Sequence, residues 1–315
     1  MLEAANIPVR PSDRSFVKFP CSDVQTEIRH ISNHRDSDSQ PPILSIVIPT
    51  VDGYRDGHFP RLLKQLRQQS FQDFETIIVK GDPRQGRAIN TGAALAKGRY
   101  LLTLDDDTRL GHQDLLKTLV QVMDTRPDIG MAGVPNLIPA NASRLVRLVM
   151  EQVPRRSSPM VEKITVSDMA EHPCLIMRKD LFYRIGGENE MLPRGLDPYL
   201  RQAFRDAGFN VVVVPEVYIH HMPPSTPIKL IRQFFRNGIM ACYVNKFYPQ
   251  WVYELTSEHH DLDRIHANWR QRISRQAKKL TRALVDLKLV FLTTQLAYIS
   301  GFCWGVVRIR RVGEC

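Results

Sequence analysis

The sequence has little from which to build a disulfide or zinc framework. Its five cysteines, Cys21, Cys174, Cys242, Cys303 and Cys315, are scattered singly. That excludes paired zinc spacing and a dense secreted scaffold, and it suits a reducing compartment. No apolar core segment stands near residue 1, so no secretory signal is expected, and the sequon at Asn141 to Ser143 is read as chance. Internal repeats and low-complexity tracts are missing. Aromatic residues make up only 8% of the chain and are not interleaved with the basic residues, which argues against nucleic acid as a partner. Acidic charge is in deficit: 33 Asp and Glu stand against 43 Lys and Arg, a net charge of +10. The excess favours a phosphorylated substrate or an anionic membrane surface. With 315 residues, 43% of them hydrophobic, there is material for one large α/β domain and an appendage.

The informative stretch is an apolar run, Tyr100 to Leu104, that ends in three adjacent carboxylates, Asp105, Asp106 and Asp107. A short buried run of this kind predicts a strand of an α/β sheet. Ligands of such sheets bind beyond the carboxyl ends of the strands. Carboxylates crowded there repel one another unless a cation sits among them, and Mg²⁺ or Mn²⁺ is commonly shared between carboxylates and substrate phosphates. The alternative is a solvated acidic turn that caps the next helix. Around this run the pattern alternates. Strands are predicted at 43–49, 74–79 and 100–104, with helices at 59–69, 88–96 and 113–123. That is a βαβαβ unit with a parallel sheet. Further strands at 174–177 and 211–215 and helices at 197–207 and 228–247 extend it.

Residues 1–42 read as a polar arm and linker, 43–250 as the α/β domain and 251–315 as C-terminal helices. In the last part, 264–287 reads as a basic amphipathic helix with apolar positions at Ile265, Trp269, Ile273, Ala277, Leu280 and Leu284. Residues 289–307 carry no formal charge and are long enough to cross a bilayer. Basic residues flank both ends, at Lys288 and at Arg308, Arg310 and Arg311. A single span would place one basic flank outside, against the positive-inside bias. Shallow insertion is therefore preferred.

The ordered series of motifs resembles the family-2 glycosyltransferases of the GT-A fold. It comprises Ser45-Ile-Val-Ile-Pro-Thr50, a strand ending at Asp82, Arg87-Ala-Ile-Asn-Thr-Gly92, the Leu-Asp-Asp-Asp run, Gly186-Gly187, Asp197 before a helix, and His220-His221. The resemblance covers about residues 43–245. It implies a mostly parallel sheet flanked by helices, an inverting transfer from a nucleotide-sugar donor, and a bound Mn²⁺ or Mg²⁺. Asp105 and Asp107 match the two ends of the family's Asp-x-Asp motif, Asp107 as metal ligand and Asp105 against metal or ribose. Asp106 is then expected to face solvent. Thr50, Asp52, Asp82 and Arg87 would line the nucleotide, although Gly-Asp-Pro at Asp82 is also ordinary turn chemistry. A further metal or diphosphate ligand is placed near His221. Successive side chains of a strand point to opposite faces, so only one of His220 and His221 can serve. Arg236, with Arg232 and Asn237, resembles the basic helix that closes over the diphosphate. Asp197 takes the place of the catalytic base, and Glu190 a lesser acidic position. Locally, Asp197-Pro198 also reads as a helix N-cap with Pro at N1.

The resemblance thus implies a glycosyltransferase acting on a glycan or lipid-linked acceptor at the cytoplasmic face of a membrane, since nucleotide sugars are cytosolic. The alternatives are a sugar nucleotidyltransferase and a catalytically inactive membrane-binding module. The first lacks support because the segment after the first strand, 50–57, has no Gly-rich basic loop. Asp105, Asp107 and Asp197, all present, count against the second.

Overall fold

In a computed structural model of the chain, residues 15, 17–18, 26–32, 40–254, 264–265 and 269–309 are described. Ten strands matter for the site: β1 (Glu27–Ser32), β2 (Leu44–Thr50), β3 (Phe74–Lys80), β4 (Tyr100–Leu104), β5 (Thr108–Leu110), β6 (Ile129–Gly133), β7 (Thr165–Val166), β8 (Cys174–Arg178), β9 (Asn210–Val213) and β10 (Ile219–His221). The helices are α1 (His58–Arg67), α2 (Gln85–Leu95), α3 (Leu115–Thr125), α4 (Arg144–Gln152), α5 (Lys179–Arg184), α6 (Leu196–Asp206), α7 (Pro227–Phe247), α8 (Trp269–Val285) and α9 (Leu289–Arg308).

An eight-stranded sheet runs in the order β1-β3-β2-β4-β8-β6-β9-β7. The expected βαβαβ unit is present, with β3, β2 and β4 parallel. Strand residues alternate between two cores. Ile46 and Ile48 join Leu62, Leu116 and Leu119 on one face. Val47, Leu101 and Leu175 join Ile89, Ala93 and Phe204 on the other. A helix-covered sheet of this kind is buried on both faces, which is why its strands read as unbroken apolar runs.

Two features depart from the sequence reading. Residues 1–42 were expected to be an arm throughout, yet Glu27–Ser32 adds an antiparallel edge strand to β3. It is anchored where His30 Nε2 meets the buried Glu75 Oε2 at 2.6 Å. Its exposed side chains carry no apolar alternation, so periodicity could not reveal it. Within the arm, the Val17 carbonyl accepts a hydrogen bond from the Glu190 N–H at 2.9 Å. The second departure is β8, which runs antiparallel between β4 and β6. Its register pairs Cys174 with Leu104, so the residues just before β8 lie beside the Asp triplet.

The C-terminal helix α9 packs along α7 at backbone distance. A Cβ on Gly301 would stand 2.0 Å from the Phe235 carbonyl oxygen, and one on Gly238 would stand 2.0 Å from that of Tyr298. Glycine lets the two helices approach this closely, and any larger residue must push them apart. Gly301→Ala is therefore expected to cost about 1–3 kcal/mol by over-packing. Ser300→Ala, on the exposed side of the same turn, is expected to stay within about 0.5 kcal/mol of the parent. Thermal unfolding of the two variants checks the difference.

Candidate functional site

The cleft lies at the carboxyl ends of β2 and β4, the position that sheet topology assigns to ligands. Pro49, Thr50, Asp82, Gln85, the three aspartates, Arg156, Arg194, His221, Gln233 and Asn237 line it. The antiparallel pair β5–β10 sets His221 opposite Thr108 and so beside Asp107. His221 Nε2 is 3.0 Å from Asp107 Oδ1 and 3.7 Å from Asp105 Oδ2. One ligand atom from each of Asp105, Asp107 and His221 lies within 4.8 Å of the others. His220 points away, its Nδ1 paired with the Leu137 carbonyl, as strand alternation requires.

The electrostatics follow from crowding. Burial pushes the Asp105 carboxyl up to about 6, with Asp107 adding to the rise and His221 opposing it. Burial would also raise Asp107, but His221 and Arg55 hold it well below the ordinary carboxylate value. Burial would lower His221, and the two aspartates more than offset that. Two carboxylates and an imidazole offer the oxygen and nitrogen donors that a hard or borderline divalent cation takes.

Asp106 does not face solvent as the sequence reading has it. It is 8% exposed and accepts from Thr50 Oγ1 at 2.7 Å, so the middle carboxylate ties β2 to β4. A further cation reaches the triplet from the β2–α1 loop, where Arg55 Nη2 donates to Asp107 Oδ2 at 2.6 Å. The loop is tightly wound, with Gly53, Arg55, Asp56 and Gly57 all at positive φ. Non-glycine residues held in that region mark strain, which clusters at functional sites. Asp52, expected at the nucleotide, is exposed and accepts from the N–H groups of Tyr54 and Arg55. It holds the loop that delivers Arg55.

Asp82 and Arg87 are paired with each other, through Arg87 Nε to Asp82 Oδ2 at 2.7 Å and Nη2 to Oδ1 at 3.0 Å. Asp82 also accepts from the Arg84 N–H, so turn chemistry and cleft position coincide. Arg236 and Arg232 line the adjoining basic pocket with Arg55, His58 and Lys229, on the far side of Asp107. Glu190 accepts from Asn90 Nδ2 at 3.0 Å.

Asp197 is held in an unexpected way. The N-cap of α6 is Gly195, at φ +87°, and Asp197 lies in the first turn. The capping alternative is thus corrected, because the Asp197 carboxylate turns to His172 instead. Asp197 Oδ1 accepts from the His172 backbone N–H at 2.8 Å and lies 2.5 Å from its Nδ1. The other ring nitrogen, Nε2, is 2.7 Å from Glu188 Oε1. Burial would raise the Asp197 carboxyl, yet the His172 ring and N–H keep it well below its usual value. Asp197 also adds to the rise of the Asp105 carboxyl, and its partner His172 accepts through its carbonyl from Thr103 Oγ1 near the end of β4.

Sequence reasoning missed His172, Glu188, Arg156 and Arg194. Arg156 and Arg194 bring positive charge to the cleft wall. Each sits in a stretch without periodicity or motif. His172 stands two residues before a strand whose direction only the topology reveals.

Residues 47–186 match the family model for glycosyl transferase family 2. A curated relative, an uncharacterized glycosyltransferase of Haemophilus influenzae, is 28% identical over 181 residues. The match covers 50% of this chain and spans 60% of that relative's length. Among solved structures, the mannosyltransferase PcManGT from Pyrobaculum calidifontis, in complex with GDP-Man and Mn²⁺, has 12% identity and a TM-score of 0.49. It covers 85% of this chain and 88% of its own. TarS 1–349 of S. aureus in complex with UDP-GlcNAc has 11% identity and a TM-score of 0.43, covering 82% of this chain and 89% of its own. Asp105 and Asp107 lie inside the matched segment, whereas Asp197 and His221 lie beyond it and stand on geometry alone. The matched segment 47–186 carries the parallel strands and the Asp-x-Asp pair, and over that segment the chain is similar to glycosyl transferase family 2.

Proposed function

We propose that the chain is a metal-dependent inverting glycosyltransferase that moves a sugar from a nucleotide-sugar donor to an acceptor hydroxyl. The observation that carries this reading is the convergence of Asp105, Asp107 and His221 in a cleft also walled by Arg156 and Arg194. Asp105, Asp107 and His221 would hold Mn²⁺ or Mg²⁺, which offsets the charge that develops on the departing diphosphate. Arg156 and Arg194 add positive charge on the same wall and suit phosphate oxygens. Asp197 takes the proton of the acceptor hydroxyl as its oxygen attacks the anomeric carbon. A single displacement of this kind inverts the anomeric centre.

The acceptor is proposed to be membrane-associated, with the enzyme at the cytoplasmic face. Support comes from α8 and α9. On α8, Ile273, Leu284 and Val285 are exposed among Arg270, Arg275, Lys278, Lys279 and Arg282. On α9, Leu289, Leu296, Trp304, Val306 and Val307 are exposed. At 20 residues α9 is long and apolar enough to cross a bilayer, but its other face is committed to α7. Peripheral docking uses the exposed face without breaking that packing.

A screen of UDP-, GDP- and dTDP-sugars with Mn²⁺ or Mg²⁺ tests the activity. Release of nucleoside diphosphate that stops on chelation is expected; no turnover of any donor would overturn the reading. Asp107→Asn is expected to abolish Mn²⁺ binding in calorimetry and turnover together. Asp197→Asn is expected to keep donor affinity while the transfer rate falls by roughly 10²–10⁴-fold. For the membrane, full-length protein is expected to sediment with vesicles containing anionic lipid and not with neutral ones. Leu284→Asp with Val285→Asp is expected to leave it in the supernatant, whereas unchanged sedimentation of that variant would remove the docking face.

A further inference from the structure

The clamp on Asp197 goes beyond the base assignment on which it rests. His172 is 2% exposed and Glu188 fully buried. The backbone around His172 is tied to the strand that carries the triplet: its carbonyl accepts from Thr103 Oγ1 at 3.2 Å, and that of Pro173 accepts from Thr108 Oγ1 at 2.9 Å. Glu188 is fixed in turn, with its N–H donating to Asn90 Oδ1 at 2.9 Å. With a carboxylate oxygen at each ring nitrogen, the imidazole cannot flip without losing both partners. No protein donor reaches Asp197 Oδ2 among the described residues, and the side chain keeps 31% exposure.

We propose that His172, held by Glu188, is a positioning residue for the base: it fixes Asp197 Oδ1 and leaves Oδ2 as the oxygen that meets the acceptor hydroxyl. In the transfer, the acceptor O–H bond breaks and its proton goes to Oδ2. The acceptor oxygen bonds to the anomeric carbon, and the bond to the diphosphate breaks with its electron pair leaving on the diphosphate. His172 exchanges no proton in this step.

The proton count explains why Glu188 is there. Two nitrogen–carboxylate contacts require two protons, one on Nδ1 and one between Nε2 and Glu188. Burial would lower the His172 imidazole, but Asp197 and Glu188 together raise it well above its ordinary value. Burial raises the Glu188 carboxyl, and its Oε2 has no hydrogen-bond partner among the described residues. Glu188 thus holds the second ring proton, and Nδ1 presents the other to Asp197. The charged groups facing Asp197 are His172 before β8, Glu188 after α5, Arg201 on α6 itself and Asp105 at the end of β4.

The test uses full-length protein, the donor found in the screen and water as acceptor. His172→Gln is expected to lower kcat by about 10–100-fold with donor KM unchanged. It is also expected to move the acidic limb of the kcat profile to higher pH, because Asp197 loses the partners that hold it low. A purely structural histidine would change stability without moving that limb. Glu188→Gln, whose amide can still pair with Nε2 and keep the ring oriented, is expected to retain activity near the parent, and Glu188→Leu to lose it. If His172→Gln keeps both kcat and limb position, or Glu188→Gln behaves like Glu188→Leu, the proposal is overturned while the glycosyltransferase reading stands. If no donor turns over, both fall. Should His172→Gln not fold, proton NMR of the parent decides: two slowly exchanging downfield ring protons are expected, and none would exclude the clamp.

Discussion

Three carboxylates on consecutive residues at the end of β4 are the constraint on which the rest of the cleft depends. Two unit charges about 4 Å apart repel by ~4 kcal/mol at an effective dielectric near 20. The fold answers that repulsion from three directions. Thr50 donates to Asp106 from β2, Arg55 donates to Asp107 from the loop after β2, and His221 approaches Asp105 and Asp107 from β10. The strained β2–α1 loop and the short β5–β10 ribbon, costly or marginal alone, are explained by this demand. A divalent cation at Asp105, Asp107 and His221 would meet the same demand more fully, which supports the proposed donor-binding role over a solvated turn.

The antiparallel strand β8 couples this centre to the proposed base. Because Cys174 pairs with Leu104, His172 and Pro173 are delivered to the carboxyl end of β4 and hydrogen-bond to Thr103 and Thr108. Asp197 on α6 is then gripped by His172. The carboxylate cluster and the proposed base are thus built on one strand pair, and a shift of either strand would disturb both.

Much of this was legible in the sequence. Leu44–Thr50, Phe74–Lys80 and Tyr100–Leu104 form as expected, because strands buried on both faces leave unbroken apolar runs. The acidic triplet, His221 and Asp197 stood out by residue type at strand and helix ends. What stayed hidden depends on topology. Asp106 looked exposed because no local pattern announces Thr50 across two strands. Asp197 looked like an N-cap because Asp-Pro before a helix has that meaning, and only the β8 register brings a histidine to it. Glu27–Ser32 escaped notice since an exposed edge strand has no periodic apolar face. Arg156 and Arg194 lie in irregular segments, where charge alone cannot tell a cleft wall from a solvated surface.

The carboxylate cluster and the cleft arginines are proposed to form one site for a metal and a diphosphate. Calorimetric titration of UDP and GDP into the purified protein, with and without Mn²⁺, tests it most directly. The account predicts that one of the two nucleotides binds at one site per chain and that Mn²⁺ tightens it at least tenfold. Binding of neither nucleotide, or binding indifferent to Mn²⁺, would contradict it.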